Sequence, residues 1–409
     1  MAELRSMPKW RVTMMLLAVF LSTFACMGDQ ALTPVVNLLY TGLEGATEAT
    51  VNYGITGVCI VALPFILLAG WLCDRIDKKI VLVGGFGMYT VGTVLGDLSL
   101  DIVYFDVTRT IVMIGWGVQN VSALAILAAV FTEEDEHGKV VGWYNTAMAI
   151  LGAIIAFVAG QLAGAFPGDE IHGVFRTYLA TIPILVLIIL FVPSIKPERK
   201  KAAEEQKSSQ PAAKGNISAW LFVLVPLALQ VFLVAVAQNN NYMMLSMYVA
   251  DAGIGDAAFV GMLSSMGIVL SAVAGLLFGF VFSKLKKWIA FAAIALVGAG
   301  FLIMGLLPML PTSILGCMLI GFGWPMFYSF AYVHAAELVA PEHAGKATGT
   351  VNFAYSLACS LSAYTLTFTM GTFGLNAVST WAALGALVVV VAVVTAIGYA
   401  ARRNAGTEN

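Results

Sequence analysis

The chain contains long, almost uninterrupted runs of apolar residues, and these runs limit its possible folds more than any other feature. Each run is about 20 residues or longer, enough for a helix to cross a hydrocarbon core roughly 30 Å thick. A membrane β-barrel does not fit, because barrel strands alternate apolar and polar residues. We therefore predict an all-α membrane protein with twelve transmembrane helices, near residues 12–40, 51–73, 80–98, 102–131, 140–165, 174–193, 218–249, 257–282, 288–308, 312–339, 346–370 and 375–400.

Composition supports this fold class and narrows the function. Of the 409 residues, 60% are hydrophobic and 11% charged, which is unlike a soluble domain. The run that begins at Val12 is too long for a signal peptide, so we expect a retained first helix. The five cysteines have no spacing typical of disulfides or zinc, and no phosphate-binding glycine loop is present. We expect no cofactor, no metal, no nucleic-acid partner and, without a catalytic constellation, no enzyme.

The distribution of basic residues predicts the orientation. Of the 21 Lys and Arg residues, 19 lie in the termini, in the polar segment 196–217 or in loops on the same side as these. Arg109 and Arg176 are the exceptions. Positive charge is retained on the cytoplasmic side of a membrane, so we expect a multi-pass protein of the cytoplasmic (inner) membrane with both termini and segment 196–217 inside.

Two stretches of sequence repeat each other across the chain. Residues 138–145 (GKVVGWYN) and 345–352 (GKATGTVN) share the pattern G-K-x-x-G-x-x-N. Upstream, residues 115–117 (GWG) correspond to 321–323 (GFG) at nearly the same offset. Parallel repeats are how many transporters form a central site between two halves. We predict an N-terminal six-helix bundle (1–195), a cytoplasmic linker (196–217) and a C-terminal six-helix bundle (218–409).

Residues 70–79 (GWLCDRIDKK), at the end of the second run, resemble the loop motif G-x-L-x-D-R-x-G-R-K of the major facilitator superfamily. A degenerate second copy, residues 279–287 (GFVFSKLKK), follows the eighth run. Two positions depart from the pattern: Asp77 stands where the family usually has glycine, and Lys78 stands where it has arginine. The resemblance implies two pseudo-symmetric bundles that rock about a central site.

The same resemblance implies a cytoplasmic gate formed by Gly70, Asp74, Arg75 and Lys78. In the family the motif aspartate and arginine help to latch the two halves together, and Asp74 and Arg75 occupy those positions. Carboxylates are stabilised near helix N-termini, so such a latch is physically reasonable. The alternative is a basic loop that only sets the topology and carries an incidental acid.

Two charged residues lie inside predicted spans. Asp29 is well inside the first span, where an ionised carboxylate costs about 2.5–3.5 kcal/mol. We expect it to carry a coupling proton, with Arg109 of the fourth span as its partner. One alternative is that Asp29 is only the structural half of an ion pair. Another is that Arg109 pairs with Asp106, three residues earlier on the same helix.

Residues 28–32 (GDQAL) loosely resemble the anion:cation symporter and Spinster-like branches of the superfamily, which typically carry arginine after the aspartate. Gln30 replaces that arginine, so this helix is not expected to bind an anion. Arg109 is the only basic residue deep in a predicted span. A multiply charged anion is therefore not the expected solute.

Polar and aromatic residues within the spans are candidates for lining a solute cavity. We predict substrate contacts by Gln30, Asn37, Gln119, Asn120, Asn239, Tyr242, Trp324, Tyr328 and Tyr355. The four consecutive amides at 238–241 predict a locally irregular helix, because hydrocarbon penalises unpartnered polar groups. The alternative for any amide is a hydrogen bond between helices, which we favour for the repeat-related Asn145 and Asn352.

We therefore expect a secondary active transporter of a small organic solute that works by alternating access, most simply as a proton-coupled symporter. Its partners would be the solute, protons and the lipid bilayer, and it would be monomeric. The alternative is a proton-driven efflux antiporter of drugs or metabolites. Drug:proton antiporters of the superfamily carry G-x-x-x-G-P-x-x-G-G in the fifth span, and the corresponding residues 152–160 (GAIIAFVAG) lack the Gly-Pro pair.

Overall fold

The computed structural model describes residues 8–131, 134–196, 217–338 and 344–404, and these residues form twelve long helical segments. In chain order the segments are α1 Lys9–Gly42, α2 Glu48–Cys73, α3 Lys78–Leu98, α4 Ile102–Val130, α5 Glu134–Ala165, α6 Glu170–Phe191, α7 Ile217–Met243 with Leu245–Ala252, α8 Ala257–Leu285, α9 Trp288–Leu306, α10 Leu310–Glu337, α11 Ala344–Phe373 and α12 Ala377–Asn404. Within the described residues, ten are long and apolar enough to cross a membrane. The prediction of an all-α membrane protein is confirmed. Apart from Lys196 and Ile217, the predicted linker lies outside the described residues.

Helix α1 is not continuous. It consists of an α-helix to Leu21, a short turn of α-helix, and two 3-10 turns, Gly28–Ala31 and Thr33–Val35, before Val36–Gly42. Pro34 lies in the second turn, and proline removes a backbone donor and crowds the preceding helical turn. The interruption leaves carbonyl groups free for other partners, and the Gly28 carbonyl accepts a hydrogen bond from Tyr178 Oη at 3.0 Å.

Helix α2 has a π-helical turn, Tyr53–Gly57, between its two α-helical parts. Such turns occur frequently at functional sites because they leave a carbonyl without its usual helical partner. In this protein the Gly54 carbonyl accepts a hydrogen bond from Arg109 Nε of α4 at 2.9 Å. The irregular parts of α1 and α2 therefore face the same arginine.

The six helices of each half pack mainly against one another. In the first half α4 packs along both α2 and α3, and in the second half α9 packs along both α10 and α12. The largest contact between the halves is that of α5 with α8. The two helices pack closely at their glycines: a side-chain carbon added to Gly160 would lie only 2.8 Å from the Cα atom of Gly261.

We call the end of the molecule where α6 finishes and α7 begins the linker end, and the opposite end the far end. Several hydrogen bonds join the halves in the part nearer the far end. They are Thr33 Oγ1 to the Tyr242 carbonyl at 2.9 Å, the Asn37 N–H to Ser246 Oγ at 3.1 Å, Asn52 Nδ2 to Thr367 Oγ1 at 3.0 Å and Ser265 Oγ to the Ala153 carbonyl at 2.8 Å. These contacts hold the far end together.

Three glycines near the linker end have a different environment. A side-chain carbon added to Gly70, Gly142 or Gly279 would meet no atom of the described residues within 4 Å. Gly70 and Gly279 belong to the two copies of the loop motif, and Gly142 belongs to the repeated G-K-x-x-G-x-x-N pattern. At these three positions near the linker end, the described residues of the two halves are therefore not packed together as they are at the far end.

Candidate functional site

The charged pair predicted inside the membrane is present. Arg109 Nη2 donates to Asp29 Oδ1 at 2.9 Å, and the two side chains are 5% and 20% exposed. Arg109 Nε also bonds the Gly54 carbonyl, so the guanidinium is fixed by two helices of its own half. Charge-assisted hydrogen bonds of this kind are stronger than neutral ones. In this conformation Arg109 bonds Asp29 rather than Asp106, and the coupling role of Asp29 stays a prediction.

Buried tyrosines surround the backbone that carries Asp29. Tyr178 bonds the Gly28 carbonyl, as described above. The Tyr89 hydroxyl is buried beside Gly28 and has no hydrogen-bond partner in the part of the chain that the structure describes. The pair is therefore enclosed on one side by aromatic rings, and a low local dielectric strengthens its electrostatic interactions.

The second half meets this region through α7 and α11. Tyr242 Oη lies 3.0 Å from the sulfur of Met27, one residue before the first 3-10 turn of α1. On α11 the Cys359 thiol interacts with the side chains of Tyr355 and Asn239. The predicted contacts Asn239, Tyr242 and Tyr355 therefore lie together, and Met27 and Cys359 are two members of the region that sequence reasoning missed.

Aromatic residues of α10 and α11 form one continuous cluster. The ring of Trp324 stacks with those of Tyr328 and Tyr355, with centroids 5.0 and 5.7 Å apart, and Tyr328 and Tyr355 are themselves 5.0 Å apart. Tyr332, one turn further along α10, meets Tyr328 edge-on at 4.9 Å, and their hydroxyls are 3.0 Å apart. The structure thus brings the three predicted aromatic contacts together and adds Tyr332. Aromatic rings that also carry hydroxyl groups can bind an aliphatic, aromatic or cationic group.

The predicted amide contacts have mixed surroundings. Gln119 is fully buried inside the first half, where it donates to Ser22 Oγ at 2.9 Å and accepts from the Cys26 thiol at 3.4 Å. Asn120 accepts a long bond of 3.8 Å from the same thiol. Gln30 is also fully buried, and neither end of its amide has a partner among the described residues. In this conformation Gln119 therefore contacts its own bundle.

The helix around the four consecutive amides is regular, so the expectation of an irregular backbone there was wrong. Helix Ile217–Met243 runs through all four, and the interruption follows at Met244. Asn239 and Asn240 each donate from Nδ2 at 2.9 Å to the carbonyl four residues earlier, whereas the buried Oδ1 of Asn240 has no partner among the described residues. Asn37 lies nearer the far end and contacts the other half through its backbone N–H.

The loop motif between α2 and α3 is organised within its own half. The guanidinium of Arg75 stacks on Trp71 at 4.1 Å, and Lys78 Nζ donates to the Cys73 carbonyl at 3.0 Å, where it caps the end of α2. Asp74 is exposed, and Gly70 has open space beside it. The role of these residues as a gate stays a prediction.

Asp77, which departs from the family pattern, has a structural role that sequence reasoning missed. Its carboxylate caps α3 by accepting from the Lys79 N–H at 2.9 Å, and it also accepts from the Ile195 N–H at 2.9 Å and from the Ser194 hydroxyl. It therefore ties the start of α3 to the end of α6. An acidic residue directly before a helix is a recognised N-cap signal that identifies this role from sequence.

The interpretation of Asn145 and Asn352 as interhelical contacts was wrong for this conformation. Both side chains are exposed, and a side-chain carbon added to Gly142, three residues before Asn145, would meet no described atom within 4 Å. The reason is their position, because both lie toward the linker end. The next residue, Phe353, is 62% exposed, and Trp143 at the other repeat is 57% exposed.

Comparisons with known proteins agree with this architecture. The family model for the Major Facilitator Superfamily matches residues 18–363. A structure of a bacterial homologue of the human lysosomal transporter Spinster, in an inward-facing and occupied conformation, superposes with a TM-score of 0.74 at 14% identity over 96% of each chain.

Curated relatives match over shorter stretches. The human synaptic vesicular amine transporter is 26% identical over 161 residues, which are 39% of this chain and 29% of that protein. A multidrug resistance protein B homolog from Mycobacterium tuberculosis is 23% identical over 180 residues, 43% of this chain and 32% of that protein. The chain thus matches about a third of the length of these relatives.

Proposed function

Because the chain belongs to the Major Facilitator Superfamily, we propose that it moves a small organic solute across the cytoplasmic membrane by alternating access and couples this movement to protons as a symporter. The Asp29–Arg109 pair is the observation that carries the proposal. Asp29 lies in the interrupted part of a membrane helix, one oxygen is held by Arg109, and the side chain is 20% exposed. Intramembrane charges are costly and by default mark an ion or proton pathway.

The proton acts by changing what Asp29 can bind. The ionised carboxylate attracts Arg109 and holds the 3-10 turn of α1 toward α4. Protonation of Asp29 removes its ion pair with Arg109. Helix α1 is then no longer held to α4 by this pair and can move when the two halves rearrange. Burial increases the difference between the two protonation states, because an unpaired charge costs far more free energy when buried than when exposed.

Alternating access requires that the closed and open ends exchange. We assign the linker end to the cytoplasm from the positions of the Lys and Arg residues, so the arrangement described above is closed outside. When the linker end closes, Gly70, Gly142 and Gly279 offer flat helix surfaces for close packing between the halves, as small residues commonly do in membranes. Asp74 and Arg75 lie beside one of these surfaces.

The solute class follows from the wall of the site. The aromatic cluster, Asn239, Tyr242 and Cys359 are uncharged groups, and Arg109, the one cation near them in the described part of the chain, is already bonded to Asp29. A neutral or singly charged organic solute fits this wall better than a multiply charged anion does.

A second candidate is exchange of an organic cation for protons. The amine and multidrug relatives favour it, as do the stacked rings of Trp324, Tyr328 and Tyr355, because cations bind aromatic faces. An amine and a proton would compete for the same Asp29 carboxylate. This competition would make the carrier an antiporter.

Thermal unfolding of the purified protein against a panel of sugars, carboxylates, amino acids, nucleosides and organic amines tests both candidates. A ligand stabilises by RT ln(1 + [L]/Kd), about 2.7 kcal/mol at a hundredfold excess over Kd. By linkage, a symported solute binds more tightly at acidic pH, and an exchanged cation binds more tightly at alkaline pH. Solutes that bind equally well at both pH values would contradict proton coupling in either direction.

A further inference from the structure

A second carboxyl group, that of Asp106, lies near the Asp29–Arg109 pair and has no role in the function proposed above. It lies on α4, one helical turn before Arg109 and nearer the far end. Its Oδ1 atom is buried and makes no hydrogen bond to any residue that the structure describes. Buried polar atoms nearly always have a partner, so this carboxyl group calls for an explanation.

The surroundings of Asp106 connect it to Arg109. Its Oδ1 atom lies 2.5 Å from where a side-chain carbon on Gly54 would stand, and the carbonyl of Gly54 is the one that Arg109 Nε binds. Both side chains therefore converge on the π-helical turn of α2. Among the described residues, Tyr364 of α11 is the titratable group of another helix that interacts with Asp106, and Tyr53 of α2 in turn interacts with Tyr364. Asp29 of α1 is bonded to the same guanidinium.

Two carboxyl groups thus lie close to a single guanidinium, and only one of them is bonded to it. If both were ionised, the site would carry a net negative charge and a buried, unpartnered carboxylate oxygen, which is costly in a membrane. A proton on Asp106 removes that charge. The set of Asp29, Arg109 and Asp106 is then neutral.

We propose that Asp106 and Asp29 share one proton and one guanidinium, so that Asp106 is the proton-loading residue on the far-end side of the coupling site. This inference rests on the proposed function. In the arrangement described here the proton is on the Asp106 carboxyl group, and Asp29 is ionised against Arg109. When the proton leaves the O–H bond of Asp106 and forms one on Asp29, the Asp106 carboxylate takes Arg109 as its counter-ion three residues along the same helix.

The transfer leaves the total charge unchanged, since one aspartate is ionised before it and one after it. Arg109 always has an anionic partner, which avoids the large penalty of an unpaired buried charge. The swing of Arg109 away from Asp29 releases α1 from α4. Asp29, Arg109 and Asp106 therefore link the arrival of a proton from the far end to the Asp29–Arg109 ion pair, which holds the irregular part of α1.

Infrared difference spectroscopy of the reconstituted full chain during a pH titration tests this proposal without any solute. The probe is the C=O stretching band of a protonated carboxyl group. We expect a band at mildly acidic pH that is lost in Asp106→Asn and retained in the matched variant Asp101→Asn, whose residue caps the start of α4 and whose capping role asparagine can fulfil.

The decisive comparison is the pH at which this band disappears. In Asp29→Asn, Arg109 is free to stabilise the Asp106 carboxylate, so the band should vanish at a lower pH than in the wild type. In Arg109→Gln the carboxylate loses its counter-ion, so the band should persist to a higher pH. A band that is unaffected by Asp106→Asn, or unmoved in both other variants, would overturn the proposal.

Failure of the proposed function would be seen in a different measurement. If Asp29 does not couple protons, solute accumulation in Asp29→Asn stays at the wild-type level whatever the infrared bands do. If only the present inference fails, Asp29→Asn loses accumulation while the infrared band of Asp106 is absent or insensitive.

Discussion

The backbone at Gly28 is packed so closely that its lack of a side chain is a requirement. A carbon added there would lie 1.6 Å from the Tyr89 hydroxyl and 2.9 Å from the ring carbon that carries it. The adjacent carbonyl is bonded by Tyr178. Two tyrosines therefore hold the turn that presents Asp29, and the position of the carboxylate depends on them.

Gly28→Ala should consequently lower stability by about 1–3 kcal/mol, the usual cost of overpacking. Adding Tyr89→Phe removes the hydroxyl that collides most severely, so the double variant should recover part of the loss. Thermal unfolding in detergent measures both effects. Gly84→Ala, at a position with open space around it, is the control and should unfold like the wild type. Equal stability of Gly28→Ala and the wild type would show that Tyr89 can move aside freely.

At the scale of helices, the start of α3 depends on Asp77. Partial burial alone would raise the pKa of the Asp77 carboxyl group, but the hydrogen bonds from Ser194, Ile195 and Lys79 outweigh burial and lower the pKa below its ordinary value. The ionised group therefore stabilises the folded protein above the ordinary carboxyl pKa. That contribution is lost as the pH falls through the lowered pKa of the folded state.

We expect Asp77→Ala to lower stability by about 1 kcal/mol, as loss of a helix N-cap usually does. Asp77→Asn can still cap the helix, but its stability should depend less on pH in the acidic range than that of the wild type. Unfolding temperatures measured across that range test both expectations. Asp74→Asn, three residues earlier and exposed, provides the control for charge in the same loop. If the unfolding temperature fell with acidic pH in the same way in Asp77→Asn and the wild type, the ionised Asp77 carboxylate would have no stabilising role.

The helices themselves were predictable because an apolar run of sufficient length forms a membrane helix whatever its partners are. The runs predicted at 102–131 and 288–308 are the helices Ile102–Val130 and Trp288–Leu306. The interruption of α1 was missed, although Gly28 and Pro34 were signals for it. A proline in a membrane helix can be tolerated when neighbouring groups satisfy the freed backbone, so its effect depends on contacts that sequence does not contain.

Contacts within the site were less predictable for the same reason. The pairing of Asp29 with Arg109 could be inferred because two opposite charges in an apolar medium need each other. The surroundings of Gln119 could not be inferred, because the same amide group can face a cavity or form hydrogen bonds within its own bundle, as it does here with Ser22. Asn145 was assigned to the wrong environment because its neighbours depend on which end of the molecule is open.

At the scale of the whole molecule, the contact of α5 with α8 is the largest between the halves among the described residues. Carbons added at Gly160 and Gly261 would lie 2.8 Å or less from backbone atoms of the opposite helix. Backbone atoms cannot move aside as a flexible side chain can. This contact therefore sets how tightly the far end closes.

Gly261→Leu should separate the halves at the far end and favour the arrangement in which that end is open. Spin labels at Glu44 and Asn376, introduced in a background without the five native cysteines, would report the change as a longer distance. Gly253→Leu would not be a suitable control, because Gly253 has a positive φ of 62°. Gly275→Leu, on the same helix with open space beside it, is suitable and should leave the distance unchanged. An unchanged distance in Gly261→Leu would contradict this account of closure.

The central claim is that Asp29 carries the proton that drives transport, and flux in proteoliposomes tests it most directly. With a solute identified by the binding panel, Asp29→Asn should abolish accumulation driven by a pH gradient while exchange of solute across the membrane continues. Asp256→Asn, which keeps a capping side chain at the start of α8, should behave like the wild type in both assays. Undiminished accumulation by Asp29→Asn would contradict the claim.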